Sequence, residues 1–327
     1  MPDLTTDATI AHYRLLELLG EGGLGEVFRA RDTKVGRTVA LKLLPGGFLE
    51  KPTRRERFVA DASAAAALSH PNIATLFDVG EDEGRWYLAY EFTPGQNLRQ
   101  HMAGRAMHPR QALEIGIQIA DALAEAHSHD VLHADLRPEN IVITGKGSSK
   151  LLDIGMAGWT RGGAARSQIA KSPMRGTDGA AIAAYMSPEQ TIGGEVDSRT
   201  DLFSLGVIVY EMLTGRTPFA GTTAAETVIN VTARVPTPPT GVAVELPKEL
   251  DTTLGRALAK DLDSRQQSAV SFAAELRSIA AMLDVRAGDS VHSDLIPLDD
   301  DGEGTGRWWA VLAVVGVLGI VAWLWLR

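Results

Sequence analysis

The folded part of this chain changes its residue pattern near Asn97. Before that point, short apolar runs such as YRLLELLG and TVALKLL alternate with one alanine-rich helical stretch, Glu56–Leu68. Beyond it, helical periodicity dominates, as in Ala112–His127 and Leu202–Leu213. A small β-rich part followed by a larger helical part predicts an α+β fold of two lobes, with a ligand-binding cleft between them.

The composition narrows the classes of protein that this chain can belong to. Hydrophobic residues make up 45% of the 327 residues and charged residues 22%, which indicates a globular chain rather than a disordered one. The net charge of -9 gives no basic footprint for a nucleic-acid partner. Cysteine is absent, which excludes disulfides, thiol catalysis and cysteine-ligated zinc.

The C-terminal region contains a long apolar run, Trp308–Leu326, of 19 residues without a charge. As a helix it would extend roughly 28 Å, close to the hydrocarbon thickness of a bilayer. Tryptophans lie at both ends, where interfacial aromatics are expected. The run therefore predicts a single transmembrane helix rather than a buried core helix. Its small residues form no GxxxG face, so self-association through the helix is not predicted.

Three regions follow from these patterns. Residues 12–283 are predicted to fold, with a small lobe over about 12–92 and a large lobe over about 97–283. Residues 284–307 are glycine-containing and acidic, which is typical of a linker. The membrane helix at 308–326 follows.

The first motif with chemical meaning is a glycine-rich run with the pattern G-x-G-x-x-G-x-V, formed by Gly20, Gly22, Gly25 and Val27. Glycines let the backbone turn tightly and present N–H groups to phosphate oxygens. A dinucleotide-binding fingerprint has the same spacing but opens a helix. Because both flanks here have strand-like patterns, the run predicts the tip of a hairpin.

Three further segments supply the groups that phosphoryl transfer needs. Lys42 lies among apolar residues in a strand-like run, and Asp135 and Asn140 lie five residues apart after a helix. Asp153 follows another strand-like run and precedes a glycine. Phosphoryl transfer requires a cation for the phosphates, oxygen ligands for Mg²⁺ and a carboxylate to orient the acceptor hydroxyl. These four residues supply those types.

In this order, the motifs resemble the signature of the bacterial-type (eukaryotic-like) serine/threonine protein kinase family. Further similarities are Ser187-Pro188-Glu189, which resembles the motif that closes the activation segment, Asp201, and Arg265. In the family, the arginine pairs with the glutamate of the closing motif. The resemblance covers roughly residues 13–283 and implies a protein-kinase-like fold, with a small β-rich lobe and a larger helical lobe.

The resemblance also implies a role for each site residue, with ATP and Mg²⁺ as cofactors. Asp135 would orient the substrate hydroxyl, Lys42 would contact the phosphates, and Arg137 would approach the γ-phosphate. Asn140 and Asp153 would hold Mg²⁺. The remaining nucleotide-binding positions implied are Gly20, Gly22, Gly25, Val27, Ala40, Glu91, Phe92 and Val142.

Several positions depart from the family pattern. Asp61 stands where the small-lobe helix usually offers a glutamate to the lysine, with Glu56 as a shifted alternative. Ala134 replaces the arginine that commonly grips a phosphate on the activation segment, so control of the loop by phosphorylation is not expected through this route. Arg137 replaces a lysine, and a forked guanidinium is not equivalent to an ammonium.

Two more departures concern packing and acceptor recognition. Ile154 replaces a phenylalanine and is expected only to repack. Ala181 and Ile182 stand where a Gly-Thr pair usually precedes Tyr185, while Gly176-Thr177 lies five residues earlier. Either the segment carries an insertion, or the threonine that helps to recognise the acceptor is missing.

Two functions from different classes follow. The first is a membrane-anchored serine/threonine protein kinase that acts on protein substrates. The alternative is a pseudokinase that binds nucleotide and works as a membrane scaffold. A small-molecule kinase is disfavoured, because the closing motif, Asp201 and Arg265 belong to the protein-kinase pattern. Self-modification sites would lie among Ser167, Ser172 and Thr177.

The expected location of the domain follows from its need for ATP. Because ATP is cytoplasmic, the kinase domain should face the cytoplasm from a single-pass anchor in the plasma or inner membrane, with no sensor domain outside. His133 is expected to be a structural hydrogen-bonding residue within the catalytic loop rather than a base or a metal ligand.

Overall fold

The computed structural model describes residues 7–22, 24–156, 158–159 and 177–293. The chain divides into two units, 1–283 and 284–327. No helix among the described residues is long and apolar enough to cross a membrane, and the predicted span at 308–326 lies outside them. Ser167 and Ser172 also lie outside the described residues.

A six-stranded antiparallel sheet in the order β1-β2-β3-β4-β6-β5 forms most of the small lobe. Its strands are β1 (Thr9–Ile10), β2 (Tyr13–Gly22), β3 (Gly25–Asp32), β4 (Thr38–Leu43), β5 (Leu76–Asp82) and β6 (Arg85–Glu91). The central strands carry valine, leucine and phenylalanine, whose branched and aromatic side chains suit a pleated, half-buried surface.

Helix α1 (Pro52–Ala66) packs against this sheet through Phe58, Ala62 and Ala65. Pro52 occupies the first turn, where its missing N–H is not needed and its fixed φ suits a helix. The helix predicted at Glu56–Leu68 therefore begins four residues earlier, at the proline, and ends two residues earlier, at Ala66.

The large lobe is helical around one fully buried helix, α6. Its helices are α2 (Leu98–Met102), α3 (Pro109–Ser128), α4 (Thr177–Ala183), α5 (Pro188–Thr191), α6 (Ser198–Thr214), α7 (Ala224–Ala233), α8 (Glu249–Ala257) and α9 (Ala269–Ser293). Every residue of α6 from Thr200 to Leu213 is buried, which explains its continuous apolar sequence. Helix α9 continues to Ser293, past the predicted start of the linker at Asp284.

A second, three-stranded sheet connects the lobes. It has the order β7-β8-β9, formed by β7 (Gly95–Asn97), β8 (Ile141–Thr144) and β9 (Ser149–Leu151). An isolated bridge joins Ile73 of the small lobe to Leu151 of β9. The expected β-rich lobe and helical lobe are thus both confirmed, and the junction between them lies next to the predicted site residues.

The closing motif is fixed to the large lobe by the ion pair that the family resemblance implies. Arg265 Nη1 lies 2.8 Å from Glu189 Oε1, and Nη2 lies 3.1 Å from Oε2. Burial opposes the charge on Glu189, but hydrogen bonds from Arg265 and Thr200 outweigh it and hold the pKa of this carboxyl below its usual value. The Arg265 side chain is fully buried, so the pair is a structural clamp.

We expect Arg265→Met to lower the free energy of unfolding by about 3–5 kcal/mol, because the substitution leaves Glu189 buried without its partner. Arg277→Met is the matched control, since Arg277 pairs with Asp121 at the surface, and it should cost at most about 1 kcal/mol. Urea unfolding measures both.

The pH dependence gives a second check. The folded-state pKa of Glu189 is lowered, so the stability that this ionised carboxyl contributes is lost as it becomes protonated. The difference in the free energy of unfolding between wild type and Arg265→Met should therefore shrink as the pH falls below about 4.5. Equal losses of unfolding free energy in Arg265→Met and Arg277→Met at neutral pH would contradict the role of the clamp.

Candidate active site

The loop from His133 to Asn140, called the catalytic loop below, is held by Asp201. This carboxylate is fully buried in α6. It accepts hydrogen bonds from the backbone N–H of His133 at 2.9 Å and of Ala134 at 2.6 Å, and His127 Nε2 lies 2.9 Å away. A buried charge is tolerated only when its oxygens are satisfied in this way. The loop is therefore fixed at the two residues before Asp135.

His133 stabilises the loop from within. Its Nε2 lies 2.9 Å from the carbonyl of Leu152, so this nitrogen carries the proton and Nδ1 is the acceptor. The Asp135 N–H donates to Nδ1 at 3.2 Å. The expectation that His133 has a structural hydrogen-bonding role is confirmed.

Asn140 and Asp153 are brought together by backbone pairing. The N–H of Leu152, next to Asp153, donates to the carbonyl of Asn140 at 2.8 Å. Asn140 Nδ2 donates to the carbonyl of Asp135 at 2.8 Å. The same hydrogen bond orients the Asn140 amide, so its Oδ1 stays available as an oxygen ligand.

Lys42 connects the small lobe to this set. Its Nζ forms an ion pair with the Asp153 carboxylate, and both side chains are about nine-tenths buried. Val27 lies opposite Lys42 in the ladder between β3 and β4. Lys42, Asp153, Asn140 and Asp135 thus form a continuous chain of contacts across the junction of the lobes.

The glycine-rich run is a hairpin tip, as the sequence predicts. Gly22 pairs with Gly25 where β2 turns into β3. Gly25 has a φ of 128°, and a Cβ there would lie 2.2 Å from the carbonyl oxygen of Leu43. Only glycine fits such an approach. Above Gly20, by contrast, a Cβ would meet nothing within 4 Å.

The predicted adenine-binding positions lie on two sheets. Ala40 is on β4 and Val142 is on β8, and both side chains are partly exposed. Glu91 ends β6, and its N–H is already engaged with the carbonyl of Thr75 at 2.8 Å. The Glu91 N–H is therefore not available to a ligand in this arrangement.

Two buried hydroxyl groups flank that segment without a partner. Tyr90 Oη and Thr93 Oγ1 have no hydrogen-bond partner among the described residues. Burial, followed by the charge of Asp153, raises the pKa of Tyr90 well above its usual value, so its hydroxyl stays protonated. Unsatisfied donors and acceptors beside a partly exposed apolar pair fit a heteroaromatic ligand.

The oxygen set fits Mg²⁺ in type. A carboxylate from Asp153 and an amide oxygen from Asn140 are hard ligands, and Mg²⁺ usually takes only one or two protein ligands and completes its shell with water and phosphate. In the described part of the chain, no group of three or more histidine, cysteine or acidic residues could hold a metal ion by itself.

The acceptor side of the site is lined by Asp135, Arg137 and Ile182. Arg137 Nε lies 4.0 Å from Asp135 Oδ2, and this nitrogen is buried without a hydrogen-bond partner among the described residues. Helix α4 begins at Thr177, and its Ile182 lines the same cavity as Asp135. An apolar side chain therefore stands where the family pattern has a threonine.

Asp61 of α1 is not paired with Lys42. Asp61 Oδ2 instead accepts a hydrogen bond of 2.8 Å from Trp159 Nε1. The Trp159 ring is buried and packs edge-on against Phe58 at 5.2 Å between centroids. Asp153, rather than Asp61 or the alternative Glu56, is the recorded partner of Lys42. In this arrangement of the described residues, Lys42 is therefore paired with Asp153 and not with an acidic residue of α1.

Sequence reasoning did not anticipate three contributors to the site. Trp159 is one, and its bulk in a segment rich in glycine and alanine was the available signal. Gln190 is the second: it belongs to a capping box that begins at Ser187, a pattern readable from the sequence. Arg99 is the third, and it joins Glu139, Glu211 and the Tyr185 hydroxyl in one cluster.

The protein kinase domain family matches residues 13–277 of this chain. The chain belongs to the protein kinase family. The match covers both lobes and every predicted site residue from Gly20 to Asp153. Ile154, which departs from the family pattern, is buried in the large-lobe core, in agreement with simple repacking.

Several relatives within this family are bacterial serine/threonine kinases. A probable serine/threonine-protein kinase of Streptomyces coelicolor is 37% identical over 265 residues, which is 79% of this chain and 38% of the relative. PknB of Mycobacterium tuberculosis is 36% identical over 283 residues, which is 84% of this chain and 44% of PknB. The chain thus spans about two fifths of the length of these curated relatives.

Solved structures agree with the fold. The crystal structure of the PknI kinase domain of Mycobacterium tuberculosis has a TM-score of 0.65 and 27% identity, and the match covers 85% of this chain and all of that one. The small lobe, the large lobe and the site between them therefore follow the kinase arrangement.

We expect Trp159→Phe to lower the Kd for Mg²⁺-ATP by roughly threefold to tenfold. The substitution keeps an aromatic ring against Phe58 but removes the N–H that holds Asp61, and a hydrogen bond to a charged group contributes about 1.5–3 kcal/mol. The released Asp61 can then approach Lys42 and free Asp153 for the metal. Titration calorimetry on the full-length chain measures the change.

Trp86→Phe is the matched control, because Trp86 packs edge-on against the same Phe58 ring and donates no recorded hydrogen bond to Asp61. A Trp159→Phe variant with the affinity of wild type would show that this hydrogen bond does not restrain Lys42.

Proposed function

We propose that this chain is an ATP- and Mg²⁺-dependent serine/threonine protein kinase that phosphorylates protein substrates. One observation carries the proposal: Lys42, Asp153, Asn140 and Asp135 lie in one chain of contacts at the junction of the lobes. Those are the four groups that phosphoryl transfer requires. The family membership and the names of its relatives support the same activity.

Each residue has a role in that reaction. The acceptor hydroxyl oxygen forms a bond to the γ-phosphorus while the bond to the bridging oxygen of ADP breaks. Asp135 orients the hydroxyl and receives its proton. Lys42 and Arg137 place positive charge beside the phosphates, and Gly20 and Gly25 let the hairpin tip approach them closely. Mg²⁺, when bound, neutralises charge on the phosphate oxygens, and Asp153 and Asn140 offer its protein ligands.

The proposal extends to the membrane. The apolar run Trp308–Leu326, with tryptophans at both ends, supports a single-pass anchor in the plasma or inner membrane. Because ATP is cytoplasmic, the kinase domain would face the cytoplasm. If the anchor exists, the full-length chain should resist extraction from membranes by alkaline carbonate, whereas a 1–307 variant should be released; release of both would refute it.

A nucleotide-binding pseudokinase is the second candidate, and one observation favours it. Lys42 is not paired with α1, because Trp159 holds Asp61. An enzyme that stays in this arrangement would bind nucleotide and transfer phosphate slowly. The two candidates agree on nucleotide binding and differ only in turnover.

We expect the full-length chain, incubated with γ-labelled ATP and Mg²⁺, to transfer label to itself or to a generic acceptor such as casein. Asp135→Asn should reduce the rate by about 100-fold or more, since general-base catalysis contributes about 10²–10⁴-fold. Labelled acceptor separated by electrophoresis gives the rate.

Lys42→Ala tests the nucleotide binding that both candidates share, because it should weaken thermal stabilisation by ATP in either case. The labelled product separates the candidates. Stabilisation by ATP without any labelled product, and with Asp135→Asn indistinguishable from wild type, would refute the kinase and favour the scaffold.

A further inference from the structure

Ala134 lies at the centre of the catalytic loop, immediately before Asp135. Its φ is 52°, in the left-handed region that residues with a Cβ rarely adopt. Its N–H is held by Asp201. The family pattern has an arginine here, whose side chain can link the loop to the activation segment. Alanine has no side chain that could form such a link.

A different side chain makes the link from the opposite direction. Gln190 Nε2 donates a hydrogen bond of 2.8 Å to the carbonyl of Ala134. Gln190 belongs to α5, which begins within the closing motif of the activation segment and places Gln190 directly after Glu189. It also lines the acceptor cavity together with Asp135, Arg137 and Ile182.

This hydrogen bond fixes the peptide group that carries Asp135. The peptide between Ala134 and Asp135 is held on its oxygen side by Gln190 and on its N–H side by His133 Nδ1, at 3.2 Å. With both ends of the peptide plane fixed, the position of the Asp135 Cα is fixed as well, and the direction of its Cβ depends only on rotation about the N–Cα bond. The placement of the Asp135 side chain therefore depends on Gln190.

Gln190 is itself rigidly placed. Only 5% of it is exposed. The side-chain Oε1 of Gln190 accepts a hydrogen bond from the backbone N–H of Ser187 at 3.0 Å. The backbone N–H of Gln190 donates to Ser187 Oγ at 3.3 Å. Both ends of the carboxamide are thus engaged, one within the capping box and one with the catalytic loop.

The chemistry of this arrangement requires a carboxamide. Glutamate satisfies a capping box as well as glutamine does, because its carboxylate also accepts from the N-cap N–H. A carboxylate, however, cannot donate to the carbonyl of Ala134 and would place a negative charge against it. Glutamine at position 190 is therefore specified by the contact with the loop, not by the cap.

We propose that Gln190 is a positioning residue for phosphoryl transfer, which orients Asp135 through the Ala134–Asp135 peptide. The inference rests on the proposed kinase function. Through the hydrogen bond from Gln190 to Ala134, the closing segment is coupled to Asp135 in a chain that lacks the loop arginine. The coupling is a neutral hydrogen bond, so it operates without a phosphate on the activation segment.

The test compares Gln190→Glu with Gln100→Glu in the full-length chain. Gln100 occupies the same position in the capping box of α2, where Asn97 is the N-cap, but it is exposed and has no recorded contact with the catalytic loop. Both variants keep a side chain that can complete the cap. Only Gln190→Glu removes a donor from Ala134.

Steady-state kinetics with ATP and casein give the first measurement. Gln190→Glu should lower kcat by about 10- to 100-fold, because small displacements of a catalytic group have effects of that order. The KM for ATP should stay within about twofold, since no nucleotide contact changes. Gln100→Glu should match wild type in both constants.

Selective labelling gives a second measurement that does not depend on activity. The sequence contains three Ala-Asp pairs, Ala60-Asp61, Ala120-Asp121 and Ala134-Asp135. Carbonyl-¹³C alanine with ¹⁵N aspartate therefore yields three carbonyl–amide correlations, and the one lost in Asp135→Asn belongs to Ala134. Gln190→Glu should shift that signal and leave the other two in place.

The outcomes separate the two claims. An active wild type with an unchanged kcat in Gln190→Glu, or an unshifted Ala134 signal, would overturn the positioning role alone. A wild type that transfers no phosphate would overturn the proposed function, while the Ala134 signal would still decide whether Gln190 holds the peptide.

Discussion

The arrangement of the site depends on one buried carboxylate. Removing a charge from water costs several kcal/mol unless hydrogen bonds replace the lost solvent. Asp201 is satisfied by two consecutive backbone N–H groups and by His127. Because the helix that carries it is buried along almost its whole length, the carboxylate cannot move independently of the large-lobe core. The catalytic loop therefore has one favourable position, and Asp135 and Asn140 follow from it.

The contact between the lobes is less constrained. Among the described residues, Lys42 reaches the large lobe through Asp153, and one isolated backbone bridge joins Ile73 to Leu151 together with neighbouring hydrogen bonds. Asp61 of helix α1 accepts a hydrogen bond from Trp159 instead of pairing with Lys42. The large lobe thus has a fixed half of the site, whereas the small-lobe half depends on which of two carboxylates Lys42 contacts.

Much of this could be predicted from the sequence, because the relevant signals are local. The hairpin tip follows from strand-like flanks around glycines, and the pairing of Glu189 with Arg265 follows from the family resemblance. The start of α1 at Pro52 was missed, although proline at the first helical position is itself a start signal. The roles of Trp159 and Gln190 could not be predicted, since each depends on a contact between segments far apart in the chain. Ile182 was recognised as a departure, but only the helix at Thr177–Ala183 shows that it lies beside Asp135.

We propose that Asn140, on the loop held by Asp201, and Asp153, which follows β9, present their oxygens as a divalent-cation site. Mn²⁺ replaces Mg²⁺ at oxygen ligands and is detected by electron paramagnetic resonance. Titration of the full-length chain with Mn²⁺, in the presence of a non-hydrolysable ATP analogue, measures the site directly. We predict one bound Mn²⁺ or more in wild type, at least about tenfold weaker binding in Asp153→Ala, and weaker binding in Asn140→Ala. Equal binding of Mn²⁺ by wild type and both variants would contradict the assignment.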